Sequence, residues 1–280
     1  MPCTPTTDHS PAPPHADYPP PPPQHHATAR GADGAPPFIS HLRLRQTPSA
    51  GALAPLLGAT TGTGTDPDAP RRGHHLIWSL FADRADRRRD FLWTANGPDA
   101  FVTLSARPPD DRHRLFHIDA SEPFEPPLAA GDRVAFRLHA NPVVSQARDR
   151  RPRRVSKHDI ITNVLRQHPA SERHRRFDEA VQTRGFSWLT AQGAAKGFAV
   201  EPGEVRIHGY RRHEIARRRG RRHRRPDNPR YATLDFEGVL KVTDRTKLLR
   251  AIATGFGSSR TWGCGLMLIR TGAGAIRTAA

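Results

Sequence analysis

Two adjacent histidines, His74 and His75, follow Arg71, Arg72 and Gly73 and open the apolar stretch Leu76-Ile77-Trp78-Ser79-Leu80-Phe81. Histidine can give or take a proton near neutral pH, and arginine can offset charge that develops on phosphorus. A histidine near a helix start is most often a surface residue. A pair beside two arginines, in a basic chain, is a candidate acid–base site for phosphoryl chemistry. No carboxylate cluster of the kind that holds two magnesium ions in nucleases accompanies it. Asp83, Asp86 and Asp90 sit among arginines in DRADRRRD and read as solvated ion-pair partners. Such chemistry would proceed without metal or other cofactor. It favours RNA over DNA, because RNA carries its own 2′-hydroxyl nucleophile.

Two further stretches could hold an anion. RRHEIARRRGRRHRR, residues 211–225, contains nine arginines and one acid. It reads either as a solvated loop or, as preferred here, as a strand and loop tracking a phosphate backbone. Arginine suits that role because its planar fork pairs phosphate oxygens bidentately. Residues Arg211, Arg212, Arg217, Arg218 and Arg219 are the candidates. The second stretch is GFGSSRTWGCGLMLI, residues 255–269. It lacks the Gly-Lys-Ser/Thr of a P-loop, and Arg260 occupies the third glycine of a dinucleotide fingerprint. What remains is a helix, a glycine loop and a strand, with Gly255, Gly257, Ser258, Ser259 and Arg260 as candidate RNA contacts.

The elements that must position these residues follow from periodicity. FISHLRLRQ alternates as a strand from Phe38. Leu76, Ile77, Leu80 and Phe81 fall on one helical face. DFLWTA and DAFVTLSA flank an Asn-Gly-Pro-Asp turn as a hairpin. GDRVAFRLHANP, residues 131–142, is a strand that Pro142 stops. A weak helical piece spans Ala50 to Leu57. Residues 145–158 read as a charged linker, and DIITNVLRQH as a helix. A short helix is expected near FSWLTAQGAAKG. EVRIHGYRRHEI and ATLDFEGVLKVTD read as paired strands, followed by a helix over 244–254 and a strand over 264–269. This order predicts an α+β protein of two tandem ferredoxin-like (βαββαβ) domains, related to RNA-recognition modules. The expected boundaries are 1–36 for a disordered proline-rich tail, 37–144 for the N-terminal domain carrying the histidines, 145–158 for the linker and 159–280 for the C-terminal domain. The first strand of the second domain is poorly marked. The open sheet faces and the cleft between them are the expected RNA surface.

Composition agrees. The chain has 44 lysines and arginines against 27 acids, a formal charge of +17. A clustered excess of this size points to a polyanion partner. A membrane surface is the rival partner for such charge; no apolar run approaches the roughly 18 residues that span a bilayer, and the expected partner is RNA with no membrane. Two cysteines, Cys3 and Cys264, exclude a disulfide scaffold and a cysteine-rich zinc site. No secretory signal is visible at the N-terminus. A reduced, cytoplasmic location fits. The tail histidines His9, His15, His25 and His26 read as solvated.

Taken together, FISHLRLRQ, HHLIWSLF with DFLW, FRLHANP, LDFEGVLKVTD and the glycine loop resemble, in order, the CasE family of type I-E CRISPR-associated endoribonucleases. The loop is the most specific element, since that family closes with Gly-x-Gly-x-x-Lys-x-x-Gly-x-Gly-Leu. The resemblance spans roughly residues 37 to 270. It implies two ferredoxin-like domains, a CRISPR repeat hairpin as substrate, cleavage at the hairpin base, and continued residence on the product within Cascade beside its other subunits. It implies that the catalytic histidine lies four residues before Trp78, which is His74, with His75 the adjacent alternative. The chain departs from the family twice. Arg71 stands where some members carry a catalytic tyrosine, and Arg260 replaces the loop lysine.

The expected function is therefore a metal-independent endoribonuclease that matures CRISPR precursor RNA. Attack of the 2′-hydroxyl would leave a 2′,3′-cyclic phosphate and a 5′-hydroxyl. His74 would move a proton, and Arg71 or Arg72 would offset charge. The alternative is a noncatalytic RNA-binding subunit of a ribonucleoprotein complex, for which His74 is dispensable.

Overall fold

A computed structural model describes residues 35–46, 69–84, 86–148, 151–214 and 230–270. The helical piece at Ala50–Leu57, residues 1–34 of the tail, and Arg217, Arg218 and Arg219 lie outside them.

The first sheet contains β1 (Phe38–Leu44), β2 (Phe91–Ala95), β3 (Ala100–Ser105) and β4 (Phe116–Pro123) in the order β2-β3-β1-β4. Helix α1 (Ala69–Trp78) connects β1 to β2. This is the ferredoxin-like strand order, with residues 106–115 forming a loop where a second helix would run. Alternation dictates how the sheet is used. Leu42, Phe91, Trp93 and Phe101 point to one face and pack with Leu76, Ile77, Leu80 and Phe81 of α1 and the turn after it. Leu92, Val102 and Leu104 point to the other and join the core of the second half. Both faces of β2 and β3 are therefore buried, whereas β4 beyond Phe116 and the neighbouring His41 and Arg43 of β1 stay exposed.

The second sheet is β11-β5-β10-β8, with β9 also paired to β10. Its strands are β5 (Arg133–Ala140), β8 (Phe198–Ala199), β9 (Val205–Glu214), β10 (Arg230–Val242) and β11 (Met267–Arg270). The order is again ferredoxin-like, and here β5 is the first strand. The sequence order alone groups β5 with the N-terminal domain. Its pairing instead runs along β10 from Leu234↔Ala140 to Lys241↔Arg133, and β11 flanks its other edge. The strand that completes the first sheet is β4, paired to β1. A second correction concerns the expected linker. Residues 143–148 and 151–159 are β6 and β7, an antiparallel pair in register from Val143↔Asp159.

Helices α2 (Ile160–Leu165), α3 (Phe177–Lys196) and α4 (Arg245–Thr254) serve the second half. Asp159 caps α2 by accepting from the Ile161 and Thr162 amides. The short helix expected near FSWLTAQGAAKG is the C-terminal part of the 20-residue α3. Asp178 and Glu179 lie in its first turn, Lys196 in its last, and Gly197 ends it in the left-handed region. Val134, Phe136 and Leu138 of β5, Leu234, Phe236 and Leu240 of β10, and Leu189, Leu248 and Ile252 of the helices fill the larger core.

Candidate active site at the junction of α1 and the glycine loop

The junction is built on Trp93 of β2. Gly73 of α1 lies against one part of its ring so closely that a Cβ there would collide with it. Gly263 of the loop approaches the same ring, with a notional Cβ at 3.0 Å from Trp93 Cη2. The Trp93 indole N–H donates to the Thr261 carbonyl at 3.2 Å. Two glycines far apart in sequence thus let α1 and the loop close on one tryptophan. The other side of the loop is pinned to the end of β5. The Asn141 carbonyl accepts from the Ser258 amide at 3.0 Å, and Asn141 Nδ2 donates to Ser259 Oγ at 2.6 Å. Gly257, at φ 69°, places its Cα where a side chain would strike the Asn141 carbonyl. The Gly265 amide donates to the His139 carbonyl at 2.7 Å.

His74 faces this junction. Its ring meets Trp262 edge-on at 5.6 Å between centroids and lies 5.8 Å from Trp78. It is half-buried, whereas His75 is exposed. Nδ1 of His74 is buried and meets no hydrogen-bond partner among the described residues. Burial pushes the His74 pKa down, and the nearby Arg89 and His75 push it further, to about 4. Arg71 lies one turn earlier on α1, partly buried. Arg72 is lowered by burial.

Arg260 occupies the 3-10 turn Arg260–Trp262. Its Cδ and Nε lie 3.3 Å from a notional Cβ on Gly255. Its Nε and Nη1 are buried with no acceptor among the described residues, and burial lowers its pKa. Beside it stand two cations that the sequence reading missed. Arg89 donates from Nη1 to Thr261 Oγ1 at 2.7 Å. Lys196 donates to the Gly255 carbonyl at 3.4 Å and sits 4.3 Å over the Phe256 ring. Burial, then Arg260, pushes Lys196 down to about 8. The same two causes lower Arg89. Arg89 was hidden in DRADRRRD, whose acids do pair with arginines. Arg87 binds Asp83 at 2.5 Å, and Arg107 binds Asp90 at 2.9 Å.

The candidate loop residues divide. The amides of Gly255, Phe256 and Ser258 are already bonded, to Ala251, Gly265 and Asn141 carbonyls, so these N–H groups shape the loop and do not face an anion. Arg260 supplies its charge. Arg211 and Arg212 lie elsewhere, exposed on β9. Arg212 lines a cleft of about 630 Å³ with Arg166, Arg230 and Tyr231. Next to it His213 stacks on Tyr231 at 4.6 Å. Burial, then His139 and Arg211, pushes His213 down to about 4. His139 shares a 2.7 Å hydrogen bond with Asp235. Burial opposes the His139 charge, but Asp235 and Cys264 override it and raise its pKa to about 10. Among the described residues no three His, Cys, Asp or Glu side chains group as a metal-ligand set, and no helix is long and apolar enough to cross a membrane.

The family model described as CRISPR associated protein matches residues 38–271. The CRISPR system Cascade subunit CasE of Escherichia coli (strain K12) is 27% identical over 199 residues, covering 69% of this chain and 88% of that protein. The structure of CRISPR endoribonuclease Cse3 bound to 19 nt RNA superposes with a TM-score of 0.55 at 20% identity, over 84% of this chain and 100% of that one. Thermus thermophilus Cse3, bound to an RNA representing a pre-cleavage complex, gives 0.55 at 19% identity over 84% and 100%. At these identities the structural likeness speaks to the fold, two tandem ferredoxin-like halves. The chain belongs to the CRISPR associated protein family, in the CasE line that its motifs indicated.

Proposed function

We propose that this chain is a metal-independent endoribonuclease that cleaves CRISPR precursor RNA at the repeat hairpin and stays on the product as a Cascade subunit in the cytoplasm. The names of its relatives, a Cascade subunit and an endoribonuclease bound to RNA, support the substrate class. The observation that carries the reading is the half-buried His74, held against Trp262 beside Arg89. With its pKa near 4 the free imidazole is neutral at pH 7, so it accepts the proton of the 2′-hydroxyl. The 2′-oxygen then bonds to phosphorus as the bond to the 5′-oxygen breaks. The leaving oxygen takes a proton, from the His74 imidazolium or from solvent, giving a 2′,3′-cyclic phosphate and a 5′-hydroxyl. Arg71, one turn from His74, faces the charge that develops on the phosphate, and Arg260 holds the backbone beside it. Arg211, Arg212, Arg217, Arg218 and Arg219 bind the hairpin through its phosphates.

The test is cleavage of the cognate repeat hairpin in excess EDTA, with end-group analysis. Cyclic phosphate and 5′-hydroxyl ends are expected. Tight hairpin binding without any cleavage would assign the chain instead as a noncatalytic RNA-binding subunit.

A further inference from the structure

Three cations from three separate elements meet at the glycine loop with no counter-charge among the described residues. Arg89 precedes β2, Lys196 ends α3 and Arg260 sits in the loop's 3-10 turn. All three are half-buried. Among the described residues none of them has a carboxylate within ion-pair range, although the neighbouring Arg87 and Arg107 both have one. Each is nonetheless held in place. Thr261 fixes the Arg89 guanidinium, and the Gly255 carbonyl and Phe256 ring fix the Lys196 ammonium. Arg260 lies over Gly255 with two buried donors unanswered. Like charges half-removed from water repel, and a buried donor without an acceptor is destabilising. A fold that keeps such a cluster rigid has the donor side of a bond whose acceptor comes from outside.

We propose that Arg89, Lys196 and Arg260 form one built site for a phosphate group of the RNA backbone, and that Arg89 joins this site to His74. Assigning the phosphate to RNA rests on the endoribonuclease reading; the anion site itself does not. The forked guanidinium groups suit the oxygens of a phosphodiester, and Lys196 adds a point charge. Arg89 is hydrogen-bonded to Thr261 and the His74 ring packs on the adjacent Trp262, so both groups flank one turn of the loop, and at that range the guanidinium repels the protonated imidazole. An anion on Arg89 would cancel that repulsion, so filling the site changes the histidine directly.

The experiment follows the His74 ring resonance by NMR in the full chain, titrated with inorganic pyrophosphate at fixed ionic strength. Saturable movement is expected in the wild type and in Arg245→Gln, which removes an exposed cation at the start of α4. Arg89→Gln and Lys196→Met should each weaken that response at least about tenfold, the effect expected when one charged partner of a desolvated pair is removed. Both variants should also unfold at the same or a higher temperature than wild type without anion, because a repulsion has gone. A merely structural role predicts a lower temperature and an unchanged response. No movement in wild type, or equal movement in the two variants, would overturn the site. A hairpin with a 2′-deoxy sugar at the cleaved position provides the second arm, and should displace pyrophosphate. Failure to displace it would leave an anion site that RNA does not use. A pyrophosphate response in a chain that never cleaves RNA would reject the enzyme reading and keep the anion site. Cleavage without a response would do the reverse.

Discussion

The His74 imidazole and the Trp262 indole meet edge to face, 5.6 Å apart, across 188 residues of chain. One belongs to the first ferredoxin-like half and the other to the loop that closes the second. The candidate active site is therefore not a property of either half alone. It depends on α1 and the glycine loop closing on Trp93.

That closure predicts a sensitive glycine. Gly73→Ala forces a methyl group against the Trp93 ring. Overpacking of this kind costs about 1–3 kcal/mol. Thermal unfolding should show a lowered Tm, and cleavage should fall with it. Unchanged stability and activity would mean that Trp93 moves aside freely and that the junction is not tightly specified.

Histidine titration by NMR should separate three environments. His74 and His213 should titrate near pH 4, and His139 near pH 10. The signs for stability differ. His74 and His213 lie below the unfolded value of about 6.5, so the unfolded chain binds more protons and stability falls as pH drops from about 6.5 towards 4. His139 lies above it, so its contribution is complete below about 6.5 and is lost as pH rises towards 10. Asp235→Asn should bring the His139 midpoint down and reduce that alkaline loss. A His139 midpoint unmoved by Asp235→Asn would contradict the assigned pairing.

Much of this architecture was legible in the sequence, for physical reasons that also mark its limits. Alternation identifies β5 as a strand but cannot say which sheet it joins, because its partner β10 comes about a hundred residues later. β4 alternates only over Phe116, Ile118 and Ala120, and because just Phe116 of its eight residues is buried it carries little of the apolar signal that marks a strand. The β6–β7 pair is charged and reads as a linker. His74 stands out because residue type and helical position both point to it. Arg89 and Lys196 do not, because an arginine in a charged run and a lysine at a helix end each have an ordinary explanation.

Hairpin affinity should depend steeply on salt. Replacing Arg217, Arg218 and Arg219 by Ala should weaken binding and lower the slope of log K against log salt by about one for each phosphate no longer neutralised. Arg211→Ala and Arg212→Ala, exposed on β9, should act in the same direction. Electrophoretic or fluorescence binding at several salt concentrations measures it. Unchanged affinity and slope would return the run to a solvated loop.

Cleavage of the repeat hairpin should persist in excess EDTA, since the proton transfers assigned above use His74 and solvent and no metal ion. Loss on chelation, restored by magnesium, would contradict the metal-independent mechanism.

The central claim is that His74 moves a proton. Proton transfer by a positioned histidine contributes roughly 10²–10⁴-fold to rate, while many arginines elsewhere hold the RNA. Single-turnover cleavage by His74→Ala should therefore fall at least about 100-fold with hairpin affinity nearly unchanged. His75→Ala, exposed and about 100° around α1, should be milder. Full activity in His74→Ala, or loss confined to His75→Ala, would contradict the account.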